Sequence, residues 1–172
     1  MKKIALVACT AVLAFAPAAV VTFAQQTKPA SAKPAAAGGG KAMATIEARS
    51  GSSVKGHAQF SQEGGKVKLS IHIEGATPGV HAFHLHEKGD CSDPEGKSAG
   101  GHWNPTSESH GKWGTSPFHH GDVGNIEVGA DGKGSYTVET DLWTIGGDPG
   151  TDVIGKAVIV HASPDEDRKS VV

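Results

Sequence analysis

The stretch VHAFHLHE, residues 80–87, alternates apolar and histidine positions with a period of two. Successive side chains of a β-strand point to opposite faces, so His81, Phe83 and Leu85 share one face and His84 and His86 share the other. The apolar row argues for a strand laid against a core. The two imidazoles at i and i+2 on the opposite face can bind one ion. His81 stands in the apolar row and is expected to be a hydrogen-bonded core histidine, not a ligand.

The same short alternation recurs on both sides of this stretch. Before it come AMATIEA at 42–48, SVKGHAQF at 53–60 and KVKLSIHIEG at 66–75; after it come VGNIEVG at 123–129, GSYTVET at 134–140 and KAVIVHA at 156–162. Gly, Pro, Ser and Asn punctuate them as they do hairpins, with Ala130-Asp131-Gly132-Lys133 as one such turn. The chain has 24 glycines, only 5% aromatic residues, and no long stretch with helical spacing of apolar residues. Its 172 residues give room for one ordinary core. The expectation is one all-β domain of about seven antiparallel strands.

Between 87 and 123 the alternation stops. Loops beyond ~15 residues are uncommon in compact domains unless something functional orders them. Residues 88–121 are rich in Gly, Pro and His and hold hardly any aliphatic side chain, so a metal ion, not a buried core, is expected to fix them. Within them and just beyond, His102, His110, His119 and Asp122 follow at steps of eight, nine and three. Three imidazoles and a carboxylate suit a closed tetrahedral zinc site. His161, at the end of KAVIVHA, shares a face with Ala157 and Ile159 and is a strand-borne candidate ligand. His120 is expected to be a solvated neighbour of His119.

The N-terminus reads MKKIALVACTAVLAFAPAAVVTFAQQ, two lysines and an apolar run closed by small residues. This is the pattern of a secretory signal peptide over residues 1–24, with a mature start near Gln25 and a periplasmic or secreted destination. Its alanine richness and Pro17 speak against a retained membrane anchor, and too few apolar residues precede Leu6-Val7-Ala8-Cys9 for a lipoprotein signal. No stable membrane association is expected once it is removed. Residues 25–41, QQTKPASAKPAAAGGGK, form a low-complexity linker, and the domain spans 42–172. Signal removal would leave Cys91 as the sole cysteine. The formal charge of -2 becomes more negative without Lys2 and Lys3, so the basic footprint of a nucleic-acid binder is missing.

Four segments, HAFHLHEKGDC, SAGGHWNP, HHGDVGN and VIVHASPDE, together with their order and the loop spacing, resemble the signature segments of Cu/Zn superoxide dismutases of the bacterial exported type. The resemblance implies a Greek-key β-barrel or sandwich of about seven to eight antiparallel strands with a long metal-binding loop. It implies copper held by His84, His86, His102 and His161, and zinc held by His102, His110, His119 and Asp122, with His102 shared. It implies that Asp165 orients one ligand of each metal by hydrogen bonds. It further implies superoxide as the small-molecule substrate, with catalysis at His84, His86, His102 and His161, since copper cycles by one electron and zinc does not.

The sequence departs from the family after Asp165. The resemblance implies a further charged loop with an arginine beside copper, a cysteine and a last strand, whereas Arg168 stands only three residues past Asp165. A domain truncated in this way would lack its anion-guiding arginine and the partner of Cys91. It would also leave a strand edge open to homodimerisation. The alternatives to a dismutase are a noncatalytic extracytoplasmic copper/zinc-binding module and an inactive truncated dismutase.

Overall fold

Alternating burial decides how the hairpins assemble. The computed structural model describes residues 13–14 and 40–165. The expected signal peptide and linker lie outside the described residues except for 13–14 and 40–41, as does the chain beyond Asp165. The strands are β1 (Leu13–Ala14), β2 (Lys41–Ile46), β3 (Lys55–Glu63), β4 (Lys66–Glu74), β5 (Gly79–His86), β6 (Gly124–Val128), β7 (Gly134–Thr140) and β8 (Ala157–Val160). Apart from a 3-10 turn at Lys97–Ala99, no helix forms among the described residues.

The strands form one antiparallel sheet in the order β1-β2-β3-β4-β7-β6-β5-β8. Since β2 also approaches β8, the sheet curls into a nearly closed barrel. The chain leaves β4 for β5 across the barrel, and β7 returns to lie beside β4, which is the Greek-key jump. Leu13 and Ala14 pair with Met43 and Ala42 at the free edge of β2.

Gly64 and Gly65 turn β3 into β4 with φ of 57° and 82°, the pair of left-handed conformations that a two-residue hairpin needs. In β2 and β4 every second residue is buried, and these inward rows join Phe60, Phe83, Leu85, Ile126, Val158 and Val160 in one core. Truncating such a side chain, for example Leu69 to Ala, typically costs about 2–5 kcal/mol.

Two strands break the alternation. All four residues of β8 are buried, and so are the last six of β5. Their inner faces meet the core, and the outer face of β8 is covered by the long loop, whose Ala99 packs with Ala157 and Ile159. The histidine face of β5 therefore lies beneath a roof.

That roof is fixed differently from the expectation. Trp103 is buried in the core, and Trp113 packs against both Phe118 and Trp143, so aromatic anchors supply what aliphatic ones do not. Backbone hydrogen bonds stitch the loop to β5: Trp103 N–H donates to Leu85 O at 2.8 Å, Leu85 N–H to Gly121 O at 2.9 Å, and Glu87 N–H to Gly101 O at 3.0 Å. The expectation that a core could not fix this loop missed the indole rings. In the chain with its leader present, Cys91 is tied down as well. It is disulfide-bonded, with its partner outside the described residues, and it packs against the cluster of Ala99, Ala157 and Ile159.

Candidate metal centre

His84 and His86 project from β5 on its roofed face, and His161 follows directly on β8, which pairs with β5 through His84↔Ile159 and His86↔Ala157. His102 enters from the loop through an isolated bridge between His86 and His102. One nitrogen from each of His84, His86, His102 and His161 lies within 4.8 Å of the others. A second group, His102, His110, His119 and Asp122, meets the same limit. His102 belongs to both, so the two groups share a wall.

The first group consists of buried lone pairs. His86 Nδ1 donates to Gly100 O at 2.9 Å, and His84 Nε2 pairs with Asp165 Oδ2 at 3.1 Å. The opposite nitrogens, His84 Nδ1 and His86 Nε2, are buried with no hydrogen-bond partner, as is His161 Nε2. An unpaired buried polar atom ordinarily costs about 1–3 kcal/mol, so three together call for a ligand. Burial, then the neighbouring His102, pushes His84 down to a pKa of about 2. Burial, then His84, pushes His161 to about 3, and burial pushes His86 to about 4 against the pull of the Gly100 carbonyl. All three rings are neutral near pH 7 and can donate a lone pair.

The second group is organised by one carboxylate. Asp122 is fully buried and accepts from His102 Nδ1 at 2.7 Å, His119 Nδ1 at 3.0 Å, His119 N–H at 2.8 Å and Gly111 N–H at 3.1 Å. Burial would raise its pKa, but these donors win and hold the carboxyl well below the usual range. His110 Nδ1 is 3.0 Å from the same oxygen but without hydrogen-bond geometry. For His110, burial lowers the pKa, and the opposing pull of Asp122 and then Asp165 raises it overall. Three imidazoles around an anionic oxygen are a donor set for zinc, while four imidazole nitrogens suit copper.

Asp165 ties the groups together. Its Oδ2 meets His84 Nε2, and its Oδ1 meets His110 Nε2 at 2.9 Å, so a single carboxylate holds one ring of each. Asn125, on β6, positions Asp165 by accepting its N–H at 2.7 Å. Sequence reading did not single out Asn125, and the only available signal was its place three residues after Asp122.

His81 stands behind the centre, with Nδ1 2.8 Å from His161 O and Nε2 2.8 Å from Thr77 O. It lies outside both groups and pins the turn that carries His161. His120 is not the solvated neighbour expected. Its ring packs edge-on against Trp103, its Nδ1 is buried without a partner, and its carbonyl accepts from Trp143 Nε1 at 3.0 Å.

Comparison with known proteins agrees with this geometry. The family profile for copper/zinc superoxide dismutase (SODC) matches residues 54–171. The Cu-Zn superoxide dismutase 2 of Brassica juncea is 40% identical over 127 residues, covering 73% of this chain and 80% of the relative. The crystal structure of the clock protein EA4 superposes with a TM-score of 0.67 at 33% identity, covering 76% of this chain and 80% of that one. The match over most of the domain, with both histidine groups inside it, means that the chain belongs to the copper/zinc superoxide dismutase family.

Proposed function

We propose that this chain disproportionates superoxide to dioxygen and hydrogen peroxide at a centre where His84, His86, His102 and His161 hold copper and His102, His110, His119 and Asp122 hold zinc. The carrying observation is the convergence of three unpartnered buried imidazole nitrogens beside His102, which the second group shares. Copper, when bound, supplies the one-electron couple that the reaction needs, and zinc supplies fixed charge.

The chain's own residues set the conditions. Neutral His84, His86 and His161 offer nitrogen donors that suit both oxidation states of copper. Asp122 turns His102 Nδ1 toward itself and leaves Nε2 for the copper group, where it can hold and release a proton. Two superoxide ions and two protons give one dioxygen and one hydrogen peroxide, so a proton-bearing ring beside the reacting oxygens has a direct use. An open cleft lined by His84, His102, His110, His119 and His161 gives a small anion access.

Export rests on the leader-like N-terminus, and the corresponding division is a signal peptide at 1–24, a linker at 25–41 and the catalytic domain from 42. Removal of the leader would take away Leu13 and Ala14 and open the edge of β2.

The decisive measurement is superoxide consumption by the purified protein after copper and zinc loading, alongside a metal count. Rapid consumption with one copper and one zinc per chain is expected. Full copper without consumption would overturn the catalytic reading and select a metal-binding module instead.

A further inference from the structure

A second cleft lies on β3, β4, β6 and β7 and shares no lining residue with the metal centre. It is an open depression of about 570 Å³ between His57, His72, Glu74, Glu127, Lys133 and Ser135. Its floor is a cross-strand histidine pair. His57 on β3 is registered directly opposite His72 on β4, and both lie on the outer faces of their strands, since Ala58, Ile71 and Ile73 beside them are buried in the core.

The strands are held close at this point. A Cβ on Gly56 would fall 2.0 Å from the carbonyl oxygen of His72, so only glycine lets β3 approach β4 so closely there. His72 is flanked on its other side by Ser135 of β7, its register partner. The two imidazoles therefore stand on rigid strands and do not depend on a loop for their position.

Their separation has a chemical meaning. The ring centroids are 5.3 Å apart with planes tilted by 37°. The three histidine pairs of the zinc group are separated by 5.2, 5.7 and 5.6 Å. An ion bound at about 2.0–2.1 Å by one nitrogen of each ring would lie about 3.2 Å from each centroid. Rings 5.3 Å apart then subtend an angle of about 110° at that ion, close to the tetrahedral value. Among the described residues neither ring makes a hydrogen bond, so both keep their nitrogens for a ligand.

The surroundings add charge of both signs. Lys55 engages Glu74 at 3.2 Å, whereas Glu127 makes no ion pair among the described residues and faces the same cleft. Lys133 also lines the cleft and opposes a cation. With two imidazoles, solvent-filled remaining positions and at most one free carboxylate, the donor set suits late first-row divalent ions, and copper(II) stands highest among these for nitrogen donors.

We propose that His57 and His72 form an additional, solvent-exposed copper(II) site on the barrel wall, distinct from the two-metal centre. It completes its coordination with water and takes an ion only after the buried groups are filled, because it offers two protein nitrogens where the copper group offers four. Its filling order rests on the buried centre holding copper and zinc, and the failure of either reading is distinguishable because the buried equivalents are counted separately.

The test uses protein loaded with one copper and one zinc, titrated with copper(II) and followed by metal count after gel filtration and by electron paramagnetic resonance. The parent protein is expected to retain a third metal equivalent with its own copper(II) signal. His57→Ala and His72→Ala should each lose that equivalent while keeping the first two, since neither ring supports the core. A parent protein that retains only two equivalents, or a third that survives in both variants, would overturn the proposal.

Discussion

The two histidine groups that meet at His102 are built by opposite means. In the group proposed for copper, His84 and His86 stand on β5 and His161 follows β8, so rigid strands aim them and burial leaves one nitrogen of each without a partner. On the zinc side, His110 and His119 come from the loop: Asp122 accepts from the ring and the backbone N–H of His119 and from Gly111 N–H beside His110, and Asp165 accepts from the His110 ring. The strand-borne group has its positions fixed by the sheet. The loop-borne group owes its positions to two carboxylates, Asp122 and Asp165. Each should therefore fail in its own way.

The sharpest test of this contrast is a reciprocal pair of substitutions. His161→Ala is expected to abolish copper binding and superoxide consumption while leaving zinc content unchanged. Asp122→Ala should lose zinc and destabilise the fold by roughly 3 kcal/mol or more, because buried N–H donors of Gly111 and His119 are left unpaired. Metal counts and thermal unfolding check both. If His161→Ala loses as much zinc as copper, the division into two groups breaks.

A smaller effect is expected at the joint between them. Asp165→Ala removes the carboxylate that orients His84 and His110 together, and both metals should be held roughly ten- to a hundred-fold more weakly. Competition with a chelator measures this for each metal. Weakening confined to one metal would show that Asp165 serves only that side.

The mildest probe is pH, applied to the metal-free protein. His84, His86 and His161 have folded pKa values of about 2, 4 and 3 against an ordinary value of 6.5. The unfolded chain then binds protons that the folded chain refuses. Stability from these rings is complete above about pH 6.5 and falls as pH drops toward 4, by up to about 1.4 kcal/mol per pH unit for each histidine. His110 runs the other way, since its folded pKa is raised. Its contribution is full below 6.5 and is lost as pH rises through its folded value. Denaturant unfolding across pH 4–8 should show the acid loss, and His161→Ala should flatten that slope by about one proton's share.

Most of the barrel could be read from the chain. KVKLSIHIE alternates cleanly, and its strand runs Lys66–Glu74 with every second residue buried. GSYTVET forms its strand at the expected bounds. The loop was legible as a place but not as a structure. Trp103, Trp113 and Phe118 are too widely spaced for any periodicity to announce that they anchor it. Asn125 escaped notice because its role is a contact with the backbone of a residue forty positions away.

The sequence by itself determined which residues could be ligands. Alternation in VHAFHLHE put His84 and His86 on one face and His81 on the other, because side-chain direction in a strand follows from local backbone geometry alone. Only the tertiary structure decided what that face became. The loop folds over β5 and β8, buries both faces, and brings His102 between groups that lie far apart in the chain. Desolvation and proximity are properties of packing, and they turn exposed strand histidines into neutral lone pairs that converge on a common point. On β3 and β4 the same alternation produces a histidine pair with no roof, and it remains open to solvent.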